Sequence, residues 1–227
     1  MTEYVNYNVA DDIATLTMDD GKANAFGPDM IAALSAGLDR AAAEARVVVV
    51  AGRPGVMCGG FDLKIIRGGD QVALNAMRSA GAEALMKFYL HPQPVIFGCT
   101  GHAIAAGALL VLTGDIRIGM DGDFKIGLNE TGISLSLPTF GLELARDRLD
   151  PRMVTRATLG AELFAPTDAA AVGYLDRVET ADGFYAAIDQ AAQDMLKLGP
   201  EAFAVTKARL RQPTVDRIRA TFAAELI

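Results

Sequence analysis

An α/β fold of alternating strands and helices, closed by a helical carboxy-terminal region, is what this sequence predicts, on three observations. The β-branched run Val47-Val48-Val49-Val50 and the run Pro94-Val95-Ile96-Phe97-Gly98-Cys99 read as buried strands, and each is followed by a stretch of small residues. Residues 28–44 place Ile31, Leu34 and Leu38 on one face, the spacing of an amphipathic helix. Beyond Pro138 the pattern is mostly helical.

In chain order, residues 4–8 and 13–18 read as two strands joined by the turn Ala10-Asp11-Asp12. The helix of residues 28–44 starts at a proline, which suits a first helical position. The strand at 47–51 leads into the glycine-rich segment 52–64. A helix over 71–89 ends at His91-Pro92-Gln93-Pro94, because proline and the residue before it disfavour helix. After the strand at 94–99, the uncharged small residues of 101–110 are expected to open a helix. Short strands follow at 115–119 and 124–126, around the turn Met120-Asp121-Gly122-Asp123. The shift near Ala165-Pro166-Thr167 is the best candidate boundary, dividing a core of residues 1–165 from a helical region of 166–227.

Composition narrows the class. A formal charge of −7 argues against generic nucleic-acid binding. The longest strongly apolar run, residues 103–112, is ten residues, too short to span a bilayer. Asp11 and Asp12 interrupt any secretory-type apolar run near the start, so a cytoplasmic location is expected. Cys58 and Cys99 form neither a disulfide framework nor a metal-ligand pattern; no metal is expected. The glycines spell neither a dinucleotide nor a phosphate-loop motif.

The chemistry centres on Ile126-Gly127-Leu128-Asn129-Glu130-Thr131, which sets one carboxylate in an apolar, glycine-containing segment. A lone acid beside small-residue backbone suits proton transfer next to an oxyanion site. The plainer alternative is a surface glutamate at a loop end. Two loops add weight to the first reading. Gly59 and Gly60 let backbone N–H groups approach a ligand without Cβ obstruction. The small residues of 101–110 would leave free N–H donors at a helix start. Each loop alone reads equally as a tight turn between packed elements.

Together these segments resemble the crotonase superfamily, the enoyl-CoA hydratases and isomerases, from about Asn6 to about Leu210. Lys22-Ala23-Asn24-Ala25-Phe26 is similar to the family's P-x-N-A-[LF] turn. Cys58-Gly59-Gly60-Phe61-Asp62-Leu63 is similar to F-x-A-G-x-D-[IL]. Gly101-His102-Ala103 through Asp115-Ile116-Arg117-Ile118 is similar to the glycine-rich third motif. Residues 126–131 most resemble the 3,2-enoyl-CoA isomerases, which carry I-G-L-N-E-T at the catalytic base.

The resemblance implies a spiral of strand–strand–helix units with a helical trimerisation region. It implies that Glu130 is the base and that the backbone N–H groups of Phe61 and Ala106 are the oxyanion donors. Ala106 stands where the family usually has glycine; it can donate if its φ is negative, although its methyl would narrow the pocket. Ala23, Asn24, Gly59, Gly60, Asp62, Leu63, Lys64, Gly107 and Leu109 fall at substrate or CoA positions. Leu109 occupies the place of the hydratases' second glutamate, and a leucine cannot hold or activate water. A 3-enoyl to 2-enoyl isomerase is therefore expected, with coenzyme A entering as part of the substrate and no tightly bound cofactor. The alternatives are a hydratase-like or other thioester reaction, and a non-catalytic acyl-CoA-binding protein.

The remaining polar residues carry smaller expectations. His102 and Asn129 lie beside the site motifs, while His91 and Asp62 suit capping and bracing of local turns. Lys207, Arg209, Arg211, Arg217 and Arg219 give residues 206–220 a local basicity against the single Asp216. They form a solvated helix face, or the edge of a homotrimer or dimer-of-trimers interface with cations near the CoA phosphates. The chain is shorter than typical family members, which leaves closure of the acyl pocket without their last helical segment.

Overall fold

Two adjacent aspartates turn the chain at its first hairpin. Asp11 and Asp12 both take positive φ, 50° and 62°, the left-handed pair that matches the twist of a two-residue hairpin. This joins β1 (Val5–Ala10) antiparallel to β2 (Ile13–Met18). The computed structural model describes residues 4–225. Met1–Glu3, within the expected 1–165 region, and Leu226–Ile227, within the expected 166–227 region, lie outside the described residues.

From β2 the sheet grows by parallel addition of β3 (Val47–Gly52), β5 (Val95–Cys99), β7 (Ile116–Met120) and β9 (Arg177–Glu179), in the order β1-β2-β3-β5-β7-β9. β3 is buried at every residue because both of its faces are covered. Val48 and Val50 join the core beneath α1 (Pro28–Glu44) and α3 (Gln71–Tyr89). Val47 and Val49 point the other way, against Phe184 and Ile188 of α8 (Ala181–Leu196).

A second, smaller sheet sits beside the first, formed by β4 (Gly55–Cys58), β6 (Gly101–Ile104) and β8 (Ile126–Gly127), all parallel. The chain thus repeats one unit three times: a strand in the large sheet, a strand in the small sheet, then helix. The helices are α2 (Leu63–Arg67) with α3, then α4 (Ala106–Leu112), then α5 (Thr139–Arg148). This is the spiral that the family resemblance implies.

Three elements differ from expectation. Residues 101–104 form β6, and α4 starts only at Ala106, because Gly101 must pass against the backbone of Gly55, where a Cβ would come within 2.0 Å. The strand expected at 124–126 is confined to Ile126–Gly127. Within the mostly helical region, β9 returns to the large sheet beside β7, clamped by Arg117 on Asp176 at 2.5 Å. Residues on both sides of position 165 therefore share one sheet.

α6 (Val154–Thr158) and α7 (Pro166–Val172) lead round to α8 and to the long α9 (Pro200–Glu225). Val215 and Ile218 of α9 are fully buried in the main core. Lys207 and Arg211, expected near CoA phosphates or solvent, are instead folded inward. Lys207 Nζ lies 2.6 Å and Arg211 Nη2 2.9 Å from the Asp115 carboxylate, and Arg211 also donates to the carbonyls of Tyr89, Thr113 and Gly114. Asp115 additionally accepts the Val95 N–H, which ties α9 to the start of β5. Burial, only partly offset by Asp115, pushes the Lys207 ammonium down to about 8.

Removing Asp115 would leave two buried cations uncompensated. We expect Asp115→Ala to lose about 3–5 kcal/mol of stability in denaturant titration. A loss within 1 kcal/mol of zero would show that α9 does not depend on this pairing.

Candidate active site

The carboxyl ends of the three small-sheet strands point the same way, and the loops that leave them meet. This is the usual place for a ligand in a parallel sheet. The first loop, after β4, runs through Gly59, Gly60 and Phe61. The second, after β6, is Ala105 and Ala106. The third, after β8, carries Asn129 and Glu130.

The first two loops solve one geometric problem in the same way. Gly60 has φ +96° immediately before Phe61, and Ala105 has φ 52° and ψ −122° immediately before Ala106. A positive-φ residue reverses the chain and turns the next N–H outward. Glycine does this freely, whereas the alanine carries strain of about 1–3 kcal/mol. Ala105 is held there by its N–H to the Gly127 carbonyl at 2.9 Å, and its own carbonyl accepts the first bond of α4 from Leu109. Ala106 has negative φ and opens α4, so its N–H is an orphan donor of a helix start. The Phe61 N–H finds no acceptor among the described residues. The two loops touch: a Cβ at Gly60 would lie 3.1 Å from the Ala105 Cβ and 3.6 Å from the Ala106 nitrogen.

Neighbouring residues hold the first loop rigid. Asn24 is fully buried, and its carboxamide donates to the carbonyls of Met18, Val56 and Met57 while accepting the Asp20 N–H. The Gly59 N–H bonds to the Ala23 carbonyl at 2.8 Å. Asp62 caps α2 by accepting the Lys64 N–H at 2.8 Å. Gly107 lets α4 sit directly on β4, where a Cβ would come 2.1 Å from the Cys58 carbonyl oxygen.

Glu130 is 9 % exposed, and its Oε2 is buried with no hydrogen-bond partner; Asn129 Oδ1 beside it is likewise unpartnered. Burial pushes the Glu130 carboxyl up to about 7, partly opposed by its own backbone N–H. No cation contributes to that balance. Leu109 faces the same space from α4, fully buried.

Two spaces meet at the first loop. A cavity of about 170 Å³ is walled mostly by apolar residues, including Phe61, Leu63, Met77, Ile104 and Leu109, with Glu130 and Asn129 in its wall. An open cleft of about 390 Å³ on the other side is lined by Lys22, Ala23, Gly60, Asp62 and Lys64. Gly59, Phe61 and Leu63 border both.

Most of the site residues expected from the sequence therefore come together. Glu130 and Leu109 border the cavity; Ala23, Gly60, Asp62 and Lys64 border the cleft; Gly59, Phe61 and Leu63 touch both. Asn24 and Gly107 line neither and buttress the loops from behind. The Ala106 methyl, expected to narrow the pocket, is buried away from it, and Ala105 lines the wall instead. His102 is exposed outside both spaces, with Nδ1 accepting the Lys125 N–H. His91 bonds Gln93 below the end of α3. Sequence reasoning missed the far wall: Ile66, Arg67, Met77 and Arg78 from α2 and α3, and Ile133, Leu135, Ser136 and Pro138 beyond Glu130. None of these carries a local signal, since each reads as an ordinary helix or loop residue. Among the described residues no cluster of three histidine, cysteine, aspartate or glutamate side chains could hold a metal ion. No helix of the described residues is long and apolar enough to cross a membrane.

Two backbone N–H groups without acceptors and a buried acid thus lie around one mostly apolar cavity. Residues 8–226 match the enoyl-CoA hydratase/isomerase family, and the chain belongs to that family. An enoyl-CoA hydratase/isomerase family protein from Pseudomonas syringae shares the fold at a TM-score of 0.96 and 37 % identity, over 99 % of this chain and 97 % of that one. A Mycobacterium tuberculosis protein, described both as an enoyl-CoA isomerase and as a probable enoyl-CoA hydratase, superposes at 0.93 with 36 % identity, over 99 % of this chain and 100 % of that one. Human mitochondrial enoyl-CoA delta isomerase 1 is 28 % identical over 173 residues, 76 % of this chain and 57 % of that relative.

The folded pKa of Glu130, about 7, lies above its ordinary 4.5, so the neutral form is the one the fold favours. Its contribution is intact below about pH 4.5 and is lost as the pH rises through 7. At pH 8 the buried charge costs on the order of 3 kcal/mol. Glu130→Gln should therefore melt higher than wild type at pH 8 and close to wild type at pH 4.5 in thermal scans. A Gln variant that is less stable at pH 8 would contradict this account.

Proposed function

We propose that this protein is an acyl-CoA enzyme that moves a double bond from the 3- to the 2-position of an enoyl-CoA. The observation that carries the reading is the single unpaired carboxylate, Glu130, with Leu109 and not a second acid across the cavity. The thioester carbonyl sits at the Phe61 and Ala106 N–H groups, with the acyl chain in the cavity. Glu130 takes a proton from C2, and the pair left behind forms an enolate whose oxygen the two N–H groups stabilise by about 3 kcal/mol each. The enolate pair then forms the C2–C3 double bond, the old C3–C4 pair takes a proton at C4, and Glu130 returns the one it holds. Nothing is gained or lost overall. A base poised near 7 suits both halves of this exchange.

The CoA portion occupies the open cleft, where Ala23, Gly59, Gly60, Asp62 and Leu63 offer backbone and Lys22 and Lys64 face its phosphates. It enters as substrate, with no tightly bound cofactor. A second reading, hydration, is favoured by one observation: Asn129 Oδ1 is buried and unpartnered on the same cavity wall and is a place to hold a water. Within this proposal, residues 1–165 carry the site, while 166–227 complete the sheet and serve assembly into a trimer or a dimer of trimers. Exposed Val205 and Leu210 on α9 support assembly. The free, buried Cys58 and Cys99 accord with a reducing compartment such as the cytoplasm, although the human relative is mitochondrial.

With 3-hexenoyl-CoA, Glu130→Gln should lower the rate by about two to four orders of magnitude while CoA binding is kept. Wild-type kcat/KM should rise with pH through about 7. Efficient conversion of crotonyl-CoA to a 3-hydroxyacyl product would transfer the assignment to hydration, and binding without any turnover would point to a non-catalytic acyl-CoA-binding protein. Light scattering should return a trimer or a hexamer; a monomer would remove the assembly reading.

A further inference from the structure

Arg67 and Arg78 stand in the wall of the acyl cavity, and neither makes an ion pair or a hydrogen bond among the described residues. Arg67 is exposed and Arg78 half-buried; Arg209 and Arg219 of α9 also lack a partner among the described residues, but neither borders this cavity. Arg40, Arg117, Arg146, Arg152, Arg156 and Arg217 each face a carboxylate, and Arg148 donates to the carbonyls of Leu112 and Gly114. An acidic protein with carboxylates to spare leaves two guanidinium groups unpaired on one mostly apolar cavity.

Their own helices offer them no anion. Arg67 ends α2, and Asp70, three residues on, spends its carboxylate capping α3 through the N–H groups of Val72 and Ala73. The helical neighbours of Arg78 one turn away are Leu74, Asn75, Gly81 and Ala82. Glu130, on the same cavity, is not their partner either, since its Oε2 bonds nothing and no cation offsets its burial. One mostly apolar cavity wall thus carries an acid, Glu130, and two guanidinium groups that do not bond it.

We propose that the acyl chain this cavity takes ends in a carboxylate, which Arg67 and Arg78 bind, so that the preferred substrates are CoA thioesters of short dicarboxylic acids. Planar guanidinium forks bind carboxylates through parallel charge-assisted hydrogen bonds. A volume of about 170 Å³ holds roughly six water-sized groups, the length of a short acyl chain. The CoA phosphates are the other available anion, but the open cleft with Lys22 and Lys64 lies across Gly59 and Phe61 from this cavity. This inference rests on the acyl-CoA reading above.

The test is calorimetric binding of two saturated, unreactive ligands, hexanoyl-CoA and adipoyl-CoA, to wild type, to Arg67→Met, to Arg78→Met and to the double variant. Wild type should bind adipoyl-CoA about tenfold tighter or more. Each single variant should lose part of that preference and the double variant all of it, with hexanoyl-CoA affinity held within about twofold. Equal affinity of wild type for the two ligands overturns the proposal, and this comparison needs no variant to fold. Variants that weaken both ligands alike also overturn it and assign the arginines to the CoA phosphates. Failure of wild type to bind either ligand removes the acyl-CoA reading itself. Normal turnover of 3-hexenoyl-CoA with no adipoyl preference leaves that reading intact and removes only this one.

Discussion

The site depends on backbone meeting backbone with no side chain between. Gly107 rests on the Cys58 carbonyl, Gly101 on Gly55, and Gly60 on Ile104 and Ala105. These contacts draw β4, β6 and β8 into a small parallel sheet whose loops converge. A single Cβ at Gly101 would force β6 off β4, and one at Gly107 would force α4 off β4, because backbone cannot rotate away as a side chain can. The large sheet supplies the rigidity behind them: β3 and β5 are buried at every residue and cannot shift without exposing two cores.

Strain and unpaired charge gather at the same point. Ala105 holds a conformation that suits glycine, Glu130 and Asn129 bury acceptors with no donor, and Arg67 and Arg78 face a mostly apolar cavity unpaired. On α9 the chain satisfies its buried cations. Lys207 and Arg211 are just as buried as Glu130, yet Asp115 and a ring of carbonyls meet them. The contrast separates charge that is paired for stability from groups left unpaired on the cavity wall.

Much of this was legible beforehand because it is written in local pattern. The hairpin at Asp11-Asp12, the amphipathic helix α1, the valine run of β3 and the proline stop after α3 each follow from neighbours in sequence. The turns at Phe61 and Ala106 and the position of Glu130 are also legible, since they sit in short motifs. Less visible was anything set by distant packing. β6 was read as the start of a helix because small apolar residues suit either state, and only its pairing with β4 and β8 decides. β9 is three residues inside a helical region, held by a partner strand about sixty positions earlier.

The sequence by itself determined the order of elements, the family and the chemical types present: a lone carboxylate, small-residue turns and a leucine where an acid could stand. Only the tertiary structure decided which of these face each other. It turned the basic residues Lys207 and Arg211 inward onto Asp115, moved Asn24 and Gly107 behind the site, and brought Arg67 and Arg78 to the cavity wall. The reason is physical. Local propensity reports what a residue does with its near neighbours, whereas burial and pairing of charge depend on segments a hundred residues apart, which only packing brings into contact.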